Sequence, residues 1–356
     1  MAYTNIDDPS AHFQVKTYTG TSNIHDVTLD GNSDMQPDWV WFKNRDVGYV
    51  HQLYDSSRGV TKALYSNGTN AEATISNGLT RFDPDGFRVT SAAAINEDSI
   101  VCWNWKANGG TTASNTDGTL TGGATVQANT DAGFSIITYT GTSQTNPTVG
   151  HGLNQAPELV IVKNRDLARN WAVGSTAIGW TKYLALDTNG AAVTNSGWWG
   201  NQDPTSTTVG LGTGTQTAGN TYDYVMYAFH SVQGYSKFGS YIGNGESLNG
   251  PFVYTGFKPA WVMLKNADNV NGRNWYIYDD TRRTFNPNGT VIRADTDGTE
   301  ITDQAIDVLS NGFKVKPSAI GSYGTSNINH SGQEIIYMAF AKNPFVTSTG
   351  IPTTAR

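Results

Sequence analysis

The apolar positions of this chain alternate in short runs and show no sustained helical spacing. In "SIVCWNWKANG", "DYVMYAFHSVQG" and "EIIYMAFAKNPF" every second residue is large: Val101, Trp103, Trp105; Val225, Tyr227, Phe229; Ile336, Met338, Phe340. A period of two predicts strands with one buried face. The other face varies, with Cys102, Asn104 and Lys106 in the first copy. A second pattern is apolar on both faces. "QPDWVWFKNRD" sets Val40 and Phe42 against Trp39 and Trp41, then turns abruptly polar. "APELVIVKNRD" and "KPAWVMLKNAD" repeat it. These stretches predict central strands buried on both sides over Asp38–Asn44, Glu158–Asn164 and Ala260–Asn266. Ile161 and Met263 stand where the first copy has Trp41. The position therefore needs bulk and not an indole, so Trp39, Trp41, Trp103 and Trp105 read as core.

The prolines that open the second pattern are at 37, 157 and 259. That interval exceeds the roughly 20–50 residues of a solenoid repeat and suits a small domain. Other landmarks recur in order: "YTGTS" at Tyr18 and Tyr139, then "DGFRV" at Asp85 and "NGFKV" at Asn311. Turn pairs such as Asn67-Gly68, Asn189-Gly190 and Asn311-Gly312 punctuate short β-rich runs. The expected fold is all-β, with three tandem related β-sandwich modules of jelly-roll or lectin-like type. Their boundaries fall at 13–110, 111–236 and 237–345, and the second includes a Gly/Thr-rich junction at 111–133. An arm, 1–12, precedes them and a tail, 346–356, follows. One exception is a short helix expected over "ITDQAIDVL", Ile301 to Leu309.

Charge narrows the function classes. The net charge is −7, charged residues are 15% of 356, and no basic patch occurs. Binding to nucleic acid through phosphate neutralisation is not expected. No apolar run is long enough to span a membrane. "MAYTNIDDPSAHF" lacks the charged start and apolar centre of a signal peptide, which points to synthesis in a cytosol. Cys102 is the single cysteine, which rules out an intrachain disulfide, and it reads as a packed thiol.

Candidate chemistry is sparse. Six histidines are scattered without metal-ligand spacing, and no nucleotide or hydrolase fingerprint appears. Asp83 and Asp85 in "DPDG", and Asp295 and Asp297 in "DTDG", place carboxylates two apart before a glycine. Such loops can offer oxygen ligands to Ca²⁺, the one cofactor candidate, or can be plain Asp-Gly turns. A glycosidase needs two carboxyl groups about 5–9 Å apart, yet no acidic pair recurs in all three copies. The expectation is no enzyme activity. Trp198 and Trp199 in "SGWWGNQD" read as an exposed loop tip for stacking on a sugar or partner, or as a lid folded on its own sandwich. "YDDTRR" reads as an interface charge cluster or a solvated loop. Tyr3, Ile6 and Phe13 are candidate apolar anchors of an arm too short and polar to order without a partner. Alternatively, the arm closes an edge of the first module.

Several stretches resemble structural proteins of tailed bacteriophages, especially marine ones. They include "FHSVQGYSKFGSYIGNGESLNGPFVYTGFKPAWVMLKNAD", "TVGHGLNQAPELVIVKNRD", "YDSSRGVTKAL" and "EIIYMAFAKNPF". The resemblance covers nearly the whole chain. It implies a virion protein made in the host cytoplasm and supplies no catalytic residues. The implied role is a tail or head appendage subunit of fibre or adhesin type. Its partners would be other virion proteins, further copies of itself and a host surface glycan or receptor. A capsid decoration protein and a polysaccharide depolymerase are the alternatives. The short stretch before the first module favours a compact subunit.

Overall fold

The computed structural model describes residues 3–268, 271–317 and 327–353. Among these, helix is limited to single turns at Pro9–Ala11, Ala93–Asn96 and Ser196–Trp199, and the remaining regular structure is β. The both-faces-apolar pattern forms strands Trp39–Asn44, Leu159–Asn164 and Phe257–Asn266. Each pairs antiparallel with an aromatic strand: Ser99–Trp105, Asp223–Phe229 and Glu334–Pro344. The register is the same in all three. Trp39 faces Trp105, Leu159 faces Phe229, and Trp261 faces Phe340. The strands Phe13–Thr19, Phe134–Thr140 and Ser236–Ile242 lie on the other side of the aromatic strands. Gln52–Asp55, Ala172–Ser175 and Tyr276–Asp279 flank the Lys-Asn strands.

The two faces of these units have different neighbours. Trp39, Trp41, Trp103, Trp105, Phe134, Tyr227, Phe229, Trp261, Met338 and Phe340 belong to one central cluster built from all three repeats. Trp39 stacks on Tyr227 at 4.3 Å, Trp105 meets Trp261 edge-on at 5.7 Å, and Phe229 meets Phe340 at 6.1 Å. The opposite faces pack into three separate outer clusters: Val40 and Phe42 with Phe87, Val160 and Val162 with Trp199, and Val262 and Leu264 with Phe313.

Two expectations are corrected. The aromatic strands are buried on both faces, because an outer layer covers the side expected to be exposed. Cys102 and Asn104 are fully buried, and burial pushes the Cys102 thiol up to about 12. The stretch Ile301–Leu309 is a strand and not a helix. It folds back at Ser310-Asn311 so that Leu309 pairs with Gly312, which builds a hairpin with Gly312–Lys316. Ser and Asn are turn formers, and the β-branched Ile301, Thr302, Ile306 and Val308 favour a strand before them.

Candidate functional site

The thrice-written Lys-Asn-x-Asp motif holds the repeats together. Asn44 Oδ1 accepts hydrogen bonds from the amides of Asp46 (3.0 Å) and Val47 (2.9 Å), and Asn164 does the same for Asp166 and Leu167. This is the side-chain turn that asparagine favours. Asp46, Asp166 and Asp268 then accept from the amides of Ser99, Asp223 and Glu334 at the start of each aromatic strand. The lysines cross repeat boundaries. Lys43 Nζ donates to Asp297 O (3.1 Å), Lys163 to Thr69 O (2.9 Å), and Lys265 to Asn189 O (2.9 Å). The first repeat thus reaches the third, the second the first, and the third the second. Desolvation pulls each of the three ammonium groups down to about 8. The carbonyl oxygens around them are what hold the charged form in a buried place.

A second ring of bonds follows the same cyclic order. His51 Nε2 meets Arg293 O at 3.1 Å, Trp171 Nε1 donates to Tyr65 O at 2.7 Å, and Trp275 Nε1 donates to Ala185 O at 3.0 Å. Ion pairs reinforce two junctions. Arg45 grips Glu300 with two bonds of 2.9 Å, and Glu300 also meets Arg282, which pairs with Asp279. Arg165 grips Glu72 in the same way, and Glu72 meets Arg58, which pairs with Asp55. Tyr227 donates to Asp55 and Trp103 to Asp279 from neighbouring repeats. At the third junction the whole set is uncharged. Ala192 and Ala267 replace the Glu and Arg and keep only the backbone bond between them (2.7 Å), while Ser175 and Ile178 replace the Asp and Arg. Met338 replaces the donor.

The candidates from sequence fall into place as follows. Trp198 and Trp199 are 5% and 0% exposed, which overturns the exposed stacking site. They sit on the one-turn helix Ser196–Trp199, where neighbouring side chains diverge by about 100° and not the 180° of a strand, so both reach the same core. Trp198 stacks on Tyr183 and Trp199 meets Trp180 edge-on. Asp83 pairs with Arg81, Asp85 accepts the Met35 amide, and Asp297 offers its backbone oxygen to Lys43. Asp295 accepts the Trp275 amide and the Asn274 side chain, as Asp187 does for Trp171 and Asn170. No cluster of three or more His, Cys, Asp or Glu suited to a metal occurs among the described residues.

The arm is corrected too, since its own chain orders it. Tyr3 Oη donates to Gly256 O (2.8 Å) and Thr4 Oγ1 to Gln233 O (2.8 Å). Ile6 and Phe13 enter the central cluster, with Phe13 stacked on Phe340 at 5.0 Å. Arg282 and Asp279 of "YDDTRR" are fully buried in the ionic junction and do not form a solvated loop.

Where the arm crosses, a cavity of about 470 Å³ is lined by Asn5, Ile6, His12, Asp131, Gln155 and His230 among others. Burial lowers the affinity of His12 for protons, and its Nδ1 meets Asn129 Nδ2 at 3.1 Å. Amides and imidazoles there can bind polar groups. The lining holds one carboxylate, Asp131, where glycosidic cleavage needs two.

The chain belongs to a family described as a domain of unknown function (DUF7483). The family model matches residues 8–344. The DUF7483 match runs from the arm to the end of the last aromatic strand and so takes in all three repeats. No curated protein and no solved structure matches the chain.

Proposed function

We propose that this DUF7483 chain is a non-enzymatic structural subunit of a tailed-bacteriophage virion, made in the host cytoplasm, that forms part of an appendage for host attachment. It is built of three related β-sandwich modules, 13–110, 111–236 and 237–345, closed around one core. The observation that carries this reading is the fate of the repeated motif. Its asparagines and aspartates bond backbone amides of their own repeat, its lysines bond backbone carbonyls of a neighbouring repeat, and Arg–Glu–Arg–Asp chains cross two of the three junctions. A body that invests its buried polar groups in rigidity is suited to docking, and the phage-like segments supply the setting.

The cyclic order of the repeats favours a second reading, a decoration protein seated on a threefold position of the capsid shell. A density map of intact particles tests both. Density for this fold on a tail or head appendage is expected, and density on the shell selects the second reading. Absence of the chain from purified particles contradicts both. Release of reducing sugar from host polysaccharide, abolished by changing one Asp or Glu, overturns the non-enzymatic reading.

A further inference from the structure

The three repeats treat one exposed edge in three ways. In the first repeat the outer edge strand His25–Thr28 carries Asp26, which is paired with Arg88 and Arg81. Charges on an edge discourage strand addition. The loop after it closes the neighbouring side: Gly31 N donates to Gln14 Oε1 (2.7 Å) and Gln14 Nε2 to Ser33 O (3.1 Å). In the second repeat the chain covers the equivalent strand, Thr148–Gly150, with its own Gly/Thr-rich junction. Thr119 and Leu120 amides donate to Thr148 O at 3.0 and 2.9 Å, Thr148 N donates to Thr119 Oγ1, and Gly118 bridges Val149.

In the third repeat the equivalent strand is Phe252–Tyr254; it carries no charged side chain, and among the described residues no backbone covers its outer edge, Tyr3 of the arm meeting only the Tyr254 hydroxyl (3.1 Å) and the Gly256 carbonyl beyond it. The strand ends the eight-stranded sheet, and among the described residues it pairs only with Gly312–Lys316. The bonds Val315 N to Pro251 O and Thr255 N to Asn311 O show that the odd-numbered residues face inward. The amides and carbonyls of Phe252 and Tyr254 therefore point away from the sheet. Phe252 and Tyr254 are 47% and 54% exposed. Only Thr255 and Gly256 connect this strand to the next, too few to fold back over it. A cavity of about 340 Å³ beside it is lined by Tyr254, Gly256, Tyr3, Gln233, Ser236 and Lys237. Lys237 holds the position of Gln14 and Ser135, both buried in their repeats. No acidic side chain among the described residues forms a salt bridge with Lys237.

We propose that Phe252–Tyr254 accepts an extended acidic segment of a partner polypeptide by strand addition, with a carboxylate of that segment on Lys237. Main-chain bonds would supply affinity and the lysine would supply selection. The occupant is acidic because Lys237, which lines the cavity beside the open edge, forms no salt bridge among the described residues. The proposal rests on the reading of this chain as a docking subunit, but its test uses the isolated protein and no particle. The experiment is an amide-resolved NMR titration with a synthetic peptide of residues 116–122, TDGTLTG, the segment that covers the equivalent edge in the second repeat. Shifts are expected at the amides of Phe252 and Tyr254 and at Lys237. Phe252→Asp, which copies the charge of the first repeat, should abolish them with unchanged melting. Lys237→Glu should weaken binding about tenfold, and a peptide with Lys in place of its Asp should restore it. No shift at this edge, or equal binding by both variants, overturns the proposal. Dimerisation of the unliganded protein that Phe252→Asp abolishes gives the edge to a second copy and also overturns it. Failure here leaves the particle map of the previous section to be decided separately.

Discussion

His51 is buried with two fixed partners. Its Nδ1 accepts from Trp41 Nε1 at 2.8 Å, so the ring must be neutral, with its other nitrogen turned to Arg293 O across the junction. Desolvation, with Lys43 nearby, drives the group down to about 3. In the unfolded chain it titrates near 6.5, so the folded state binds fewer protons between those values. Its contribution to stability is full above about pH 6.5 and is lost as pH falls toward 3. Denaturant melts at pH 7 and 4.5 should show His51→Gln losing about 2–3 kcal/mol less than wild type over that interval. An equal loss in both would mean that His51 takes up its proton as readily in the folded protein as in the unfolded chain. Trp103 sits at the heart of the central cluster and donates to Asp279 of another repeat. Trp103→Ala should cost roughly 3–5 kcal/mol, read as a lower denaturation midpoint. Unchanged melting with lost binding would make it a ligand platform. The core role of Trp103 was legible because Tyr227 and Met338 replace it in the other copies. The burial of both Trp198 and Trp199 was not, since the residues fitted an exposed tip as well as a folded-back lid and nothing in them marks the single helical turn that points both inward.

At the scale of elements, the junctions are an internal comparison of buried ion pairs with apolar contacts. Removing one member of a charged chain strands the rest, whereas replacing the whole set can be neutral. Glu72→Ala leaves Arg58 and Arg165 without their shared acid, and should cost about 3–5 kcal/mol in chemical denaturation. The combined set Asp55→Ser, Arg58→Ile, Glu72→Ala, Arg165→Ala and Tyr227→Met copies the third junction and should cost less than that single change. A combined cost equal to or above the single one would contradict the view that the two chemistries are interchangeable here. The departure of "KNAD" from "KNRD" is plain in the sequence. Its meaning is not, because the partner of Ala267 is Ala192, which lies in a different repeat. The same distance hid the role of the motif lysines, whose acceptors lie on a neighbouring repeat's loop.

At the scale of the molecule, sharing one core ties the fates of the repeats together. The sequence showed strands apolar on both faces but could not say what covers the second face, and three tandem units with private cores fitted it equally well. In the structure the inner faces of all three meet, with Trp39 on Tyr227 and Trp105 on Trp261. No repeat can leave without exposing the indoles and rings of the other two. Hydrogen exchange read by mass spectrometry along a denaturant series tests this most directly, on the three aromatic strands Ser99–Trp105, Asp223–Phe229 and Glu334–Pro344. A body closed around one core predicts that all three lose protection at the same denaturant concentration. Three separate midpoints, one for each repeat, would contradict it.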